Sequence, residues 1–376
     1  MWVVVFGLSR SDLSPFLWLW IGIAAAVGAL LSKNRRFLVA ASSFFLCLGV
    51  VEFGALGYQT LLKPPAKLYS YETDATPGWI AEHGLVGYAF QGPVDLLASA
   101  TIGDKVIYDS VPYHIDELSR RPCGNNPLAS LHALFFGGSF AFGEGLSNEE
   151  TLGCQFQTLS GGLYESTTFA MMGWGPGQAL VQLGVDALFA DIEQHSGVAV
   201  FPFISDHIYR TTWKIDTASE FPEYPFFSLD AGGNLRGPFN AKDDQGFRVA
   251  CGFYQFMSEF SPTFRNWVNP SWLRLSSDKE AVTTTAKVLG AASELYRSRF
   301  DGEFIVLIWP RSRLAPDLED HLVSELSNLG VRVVRVPPLP ADGAEAQIHP
   351  LDGHPSSTET TWVAQCLLDS LANEKD

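Results

Sequence analysis

The stretch LHALFFGGSFAFGEG, residues 131–145, delivers Ser139 at the end of an apolar run and inside a cluster of glycines. Glycines at 137 and 138 permit close backbone approach and unusual dihedrals, so the Ser139 hydroxyl can project from the edge of a sheet. A serine nucleophile requires that exposure, a backbone N–H nearby for an oxyanion and a base within reach. Taken alone, the same residues also make an ordinary glycine-serine turn. The stretch lacks the lysine of a phosphate-binding loop, and its glycine spacing is not that of a dinucleotide-binding turn.

A base stands near the other end of the chain. HPLDGHPSSTETTWVAQ, residues 349–365, places Asp352 and His354 in a loop directly before the last helical run. Two residues apart, they cannot face one another on a regular helix. In a loop the carboxylate reaches the second ring nitrogen, fixes the tautomer and stabilises the charged ring. His349 is most simply a loop residue, and with Asp352 and His354 it offers no fourth metal ligand. Neither a metal nor an organic cofactor is expected.

These groups need a frame that brings residues 139 and 354 together. From 131 onward, short apolar runs alternate with longer helical ones: HALFFG, LYESTTFAM, GVAVFPF, EFIVLIWP and VRVVRV separated by EETLGCQFQTLS, PGQALVQLGVDALFADI, EAVTTTAKVLGAASELYRSRF and PDLEDHLVSELSNLG. This alternation predicts a parallel sheet with helices on both faces and a site at the carboxyl edge of the strands. Residues 62–128 read as an extended, β-rich linker segment ahead of the main domain, which is placed at 129–376. An interruption at about 208–276, rich in Phe, Pro, Gly and Asn, is too long for an ordinary connection. It is either a surface elaboration or, as preferred, a partly ordered cap whose aromatics line a substrate groove.

The first 61 residues carry the excess hydrophobicity. PFLWLWIGIAAAVGALL (15–31) has no charge in 17 residues, and FLVAASSFFLCLGVVEFGALGYQ (37–59) has one, Glu52, in 23. Both approach the length a bilayer demands, and Lys33, Arg35 and Arg36 between them favour the cytoplasmic side. Two transmembrane helices in an inner or plasma membrane are therefore expected, with the large domain periplasmic or extracellular. A cleaved signal peptide is the rival account. With 25 basic and 41 acidic residues, the net charge of −16 argues against nucleic acid as a partner. The five cysteines leave their pairing open.

Taken in order, the blocks resemble those of the SGNH or GDSL hydrolase superfamily, especially its membrane-attached bacterial members. Gly137, Gly138 and Ser139 match the first block, with Gly138 in place of aspartate. MMGWGPGQAL puts Gly173 where the second block supplies an oxyanion N–H, followed by Gly175 and Gln178. In FPFISDHIYR, Ser205 stands where the third block's asparagine belongs, and Asp206 keeps the following aspartate. Asp352 and His354 match the last block. The resemblance implies a three-layer, flavodoxin-like α/β domain in which Ser139 attacks, His354 is the base and Asp352 orients it. It further implies an oxyanion hole of the Ser139 and Gly173 N–H groups with Ser205. Gln178, Asp206, His207 and Arg210 are candidate substrate contacts, with a structural hydrogen-bonding role favoured for His207 and an exposed solubilising charge an equal reading of Arg210. Substrates would be acyl, mainly acetyl, esters of surface or exported carbohydrate, handled beside membrane-associated polysaccharide machinery. Acyl transfer by the same triad, and an inactive carbohydrate-binding or assembly protein, are the alternatives.

Overall fold

A computed structural model of the chain describes residues 17–24, 35–57, 69–75, 78–212, 214–215, 222–243, 245–261, 263–264, 276–340 and 345–373. It divides into two units, one of Met1–Ala66, Lys214–Glu220 and Asp244–Arg274, the other of Lys67–Trp213, Phe221–Asp243 and Leu275–Asp376.

The larger unit is α/β. Strands β1 (Tyr69–Thr73), β2 (Ile80–His83), β3 (Gly87–Phe90), β4 (Val94–Ile102), β5 (Lys105–Ile115) and β6 (Arg121–Pro122) precede β7 (Leu131–Gly137), β8 (Tyr164–Ala170) and β9 (Ser196–Phe203). A hairpin of β10 (Phe226–Leu229) and β11 (Leu235–Phe239) follows, then β12 (Asp301–Ile308) and β13 (Arg332–Arg335). The main sheet runs β13-β12-β9-β7-β8-β6. Five strands are parallel, and β6 joins the edge antiparallel to β8, so the sheet is mixed where a wholly parallel one was expected. Counted along the chain, the parallel strands lie in the doubly wound order 2-1-3-4-5, and the direction of winding reverses between β7 and β9. Ligands of such sheets bind beyond the carboxyl ends at that reversal, which is where Ser139 and Ser205 emerge.

Alternation along β7 builds the two faces. Leu134 and Phe136 pack with Phe201, Val306, Leu289 and Leu322 on one side; Ala133 and Phe135 pack with Val200, Leu307, Phe156 and Val363 on the other. The helices Asp278–Arg299 and Pro316–Asn328 cover the first face, and Leu152–Leu159 and Ser357–Ala372 the second. With both faces covered, the strands lose the polar alternation of a half-exposed sheet and become the uninterrupted apolar runs of the sequence.

The segment read as a β-rich linker carries strands β1 to β6 and packs as a supporting shell on the larger unit. Phe90, Leu96, Tyr113 and Ile115 share a core with Ala141, Phe142, Met171 and Trp174, the residues that follow β7 and β8. Arg121 organises this junction. It is 1% exposed, its guanidinium stands 4.4 Å from the Tyr113 ring centre and 4.7 Å from that of Phe142. It donates to the carbonyls of Phe142, Gly143 and Leu146 and to Asn148 Oδ1. Arg121→Met therefore leaves buried carbonyls without donors and lowers stability by at least about 3 kcal/mol, read as a fall in the denaturant midpoint. Cys123 and Cys154 form a disulfide that ties the chain just past β6 to the Leu152–Leu159 helix, a bond that persists in oxidising compartments.

In the smaller unit, residues 17–24 are helical, and the helices Arg35–Gly57 and Gln245–Phe260 pack with them. The Ser42 hydroxyl donates to the Gly22 carbonyl at 2.8 Å, Trp18 stacks on Phe45 at 5.7 Å, and Phe260 meets Trp18 edge-on. Two membrane-spanning helices were expected. Among the described residues one helix, through Val39–Leu56, is long and apolar enough to cross a bilayer, and most of 15–31 lies outside the described residues. The interruption at 208–276 also divides differently from the expected cap. Its 221–243 portion stays with the α/β unit, where Tyr224, Phe226 and Phe227 are buried, while 244–274 groups with the N-terminal helices.

Candidate active site

Ser139 is the first residue of a short helix, Ser139–Phe142, entered directly from β7. Gly137 turns the chain with φ of 143°, a conformation that side-chain-bearing residues rarely adopt. Gly138 is required by close approach. A Cβ there would lie 2.7 Å from the Trp174 carbonyl oxygen and 2.9 Å from Arg210 Nη1, so the space an aspartate would use is already filled. Arg210 Nη1 itself donates to that carbonyl at 3.1 Å.

Ser139, Ser205, Asp206, Arg210, Asp352 and His354 line one cavity of about 450 Å³, with Phe140, Ile204, Arg311, Arg313, Leu351 and Gly353 completing its wall. The structure thus brings together a serine from the end of β7, a histidine-carboxylate pair from the last loop and the segment after β9. His354 Nδ1 lies 2.9 and 3.0 Å from the two oxygens of Asp352. Burial would raise the Asp352 carboxyl, but His354 outweighs it and holds that carboxyl below the usual range. The loop is held by Arg311, which donates to both oxygens of the buried Glu359 and to the carbonyls of Gly353 and Ala346. Glu359 in turn accepts from Trp309 Nε1, and its N–H is capped by Ser356 at the head of the last helix.

Sequence reasoning missed Glu144. Its Oε2 stands 3.2 Å from His354 Nε2, and Tyr108 donates to Oε1 at 3.4 Å. The imidazole therefore has a carboxylate on each nitrogen. Burial opposes its charge, but Glu144 and Asp352 together raise His354 above its ordinary value. The available signal was the FGEG turn itself, an acid among glycines five residues beyond the serine. Arg311 was missed as well, since nothing near it in sequence marks its partner Glu359.

Of the other expected site residues, Asp206 lines the cavity, while Gln178, His207, Gly173 and His349 fall outside its wall. Gln178 is 1% exposed, and its amide accepts from Gly175 N–H and donates to the Val86 carbonyl, so it caps a helix and does not reach the cavity. His207 is fully buried against Phe201 and Phe203. Its Nδ1 accepts from the Ile204 N–H, and burial, with Arg210 nearby, holds it neutral with a pKa well below the usual value. It is a structural histidine behind Gly138, not a substrate contact. Gly173 adopts φ of 82° and accepts at its carbonyl from the Tyr224 hydroxyl; it does not line the cavity. Asp206 is exposed, with Arg210 Nη2 at 4.0 Å. His349 accepts from the Leu351 N–H within the loop.

No family model and no curated protein matches the chain. Among solved structures, it is similar to a psychrotrophic esterase from Pseudoalteromonas sp. at 12% identity, with a TM-score of 0.35 over 64% of this chain and 97% of that one. It is likewise similar to an acetyl xylan esterase from the rumen bacterium Butyrivibrio proteoclasticus, at 12% identity and a TM-score of 0.35 over 74% and 69% of the two chains. A salicylyl-acyltransferase from a tetracycline biosynthetic pathway matches at 10% identity and a TM-score of 0.33, over 82% of this chain and 79% of the other.

Proposed function

We propose that the α/β unit is a serine esterase of the SGNH type, anchored by its N-terminal region and facing the periplasm or exterior. The observation that supports it best is the single cavity at the sheet's switch point that Ser139, His354 and Asp352 share, with Asp352 on the inner ring nitrogen. In the reaction His354 Nε2 leaves Glu144 and takes the Ser139 proton while Oγ attacks the ester carbonyl carbon. The Ser139 N–H and the Ser205 hydroxyl, both at the cavity wall, receive the oxyanion. Its collapse expels the alcohol, which takes the proton from His354, and leaves an acyl-serine. Water, deprotonated by the same ring, then releases the acid. A serine in place of an oxyanion asparagine is the weak point of this site, because losing one such donor costs about 2.7–4 kcal/mol. Acetyl esters of surface or exported carbohydrate are the substrates that the resemblance implies, and the disulfide suits the oxidising compartment where they lie.

A fluorophosphonate tests this directly. Treatment of the detergent-purified full chain is expected to give one adduct, located at Ser139 by mass spectrometry and absent from His354→Ala. A folded protein that takes up no label would turn the assignment towards a binding or assembly protein.

A further inference from the structure

The helix Gln245–Phe260 carries an apolar face that is covered at Phe260 by Trp18 and exposed, among the described residues, at Val249, Phe253 and Phe256. Val249, Phe253 and Phe256 are 66%, 61% and 53% exposed, far more than aromatic and branched side chains tolerate in water as a contiguous stripe. At 100° per residue they fall, together with Phe260, within an arc of about 60°. Cys251 and Tyr254 lie on the far side and Met257 on the flank, all buried or half-buried, so the helix is already packed along one face and presents a second apolar one. Arg248, Gln255 and Glu259 form an exposed polar edge between the two.

The depth of this helix is set by its C-terminal end. Glu52, 3% exposed within the apolar stretch Val39–Leu56, accepts from the Ser261 hydroxyl and from the Thr263 N–H at 3.1 Å. A carboxylate in a membrane helix needs such partners, and this one takes them from the residues that follow Phe260. Glu52 stands four residues before the end of the stretch at Leu56. At 1.5 Å per residue that is about 6 Å below its outer boundary. Interfacial amphipathic helices bury their apolar face to about 5–10 Å, the same level.

We propose that the Gln245–Phe260 helix lies in the membrane–water interface, with Val249, Phe253 and Phe256 among the lipid acyl chains. It is a second, monotopic membrane contact, supplied by a segment far along the chain from the anchor. The inference rests on Arg35–Gly57 spanning the bilayer, and its test separates the two.

The full chain, with Cys47, Cys251 and Cys366 replaced by serine, is labelled with bimane at a single introduced cysteine and placed in phosphatidylcholine–phosphatidylglycerol vesicles. Labels at Phe253→Cys and Phe256→Cys are expected to lose most of their fluorescence to lipids spin-labelled near the top of the acyl chain and little to aqueous iodide. A label at Gln255→Cys is expected to do the reverse, and one at Val50→Cys to respond to spin labels deeper in the chain. If positions 253 and 256 answer only to iodide while 50 answers to lipid, the interfacial helix is wrong and the span stands. If position 50 also answers to iodide, the span itself fails. Shielding of 253 and 256 from both quenchers would mean that protein covers the face, and would overturn the proposal.

Discussion

Ser139→Ala is expected to lower the turnover of an acetyl ester by on the order of 10⁴- to 10⁶-fold, the loss that removing a triad serine produces elsewhere. The size of the effect follows from the position of the hydroxyl. Ser139 leads off a short helix at the end of β7, only 6% exposed, and its exposed edge opens on the cavity that holds His354. His354→Ala should cost about as much, and Ser139→Ala with His354→Ala no more than either alone, because the two act as one device. Asp352→Asn keeps the ring in place but withdraws the charge that fixes its tautomer, for a loss on the order of 10⁴-fold. The measurement is kcat/KM on a chromogenic acetyl ester, with circular dichroism of each variant as the control for folding. Residual activity in Ser139→Ala close to that of the wild type would place the hydrolysis at another residue. Losses that multiply in the double variant would show that Ser139 and His354 act separately.

The parts of the fold that were legible in the sequence are those set by local pattern. HALFFG, GVAVFPF and EFIVLIWP are apolar without a break because β7, β9 and β12 lie in the middle of the sheet with helices on both faces. Ser139, Asp352 and His354, which line one cavity, stand out in the sequence because glycines and a proline-bounded loop mark them locally. The supporting contacts were not. Arg121 reads as one of many surface cations, yet it is buried between two aromatic rings and three carbonyls contributed by a later turn. Gln178 and His207 stand beside the expected blocks, yet the Gln178 amide is committed to Gly175 and Val86 and His207 Nδ1 to the Ile204 N–H, while His207 Nε2 is buried without a hydrogen-bond partner among the described residues. Periodicity cannot separate a polar side chain that caps a helix from one that faces a ligand. The aromatics of the 208–276 interruption are likewise divided, between Phe226 and Phe227 buried in the hairpin of the α/β unit and a helix of the other unit, a division that composition alone does not show.

Glu144→Gln is expected to move the acid limb of the pH–rate profile downward by about one to three units, the range over which a neighbouring opposite charge shifts a titrating group. His354 works as a base only when its Nε2 is unprotonated, and in this structure Nε2 faces Glu144 Oε2 at 3.2 Å. With Asp352 on Nδ1, the ring has a carboxylate on each nitrogen, which favours its charged form. Burial and Arg210 act against that charge, the Phe140 ring packs 5.7 Å away, and the two carboxylates prevail, so His354 is raised above 6.5. The wild-type rate therefore climbs only as pH rises through this elevated value. Glutamine keeps the shape and the Tyr108 contact but removes the charge, so that below the wild-type limb the variant is the faster enzyme. Stability should move the opposite way. A histidine whose folded pKa exceeds its unfolded one contributes stability that is full below the unfolded value of about 6.5 and is lost as pH rises through the folded value. Glu144→Gln should accordingly be less stable than the wild type in mild acid, with the gap closing on the alkaline side. Paired pH–rate and denaturation series would show both trends. A limb that stays in place would mean that His354 has already left Glu144 in the free enzyme, and the ion pair would then have no part in setting when the base becomes available.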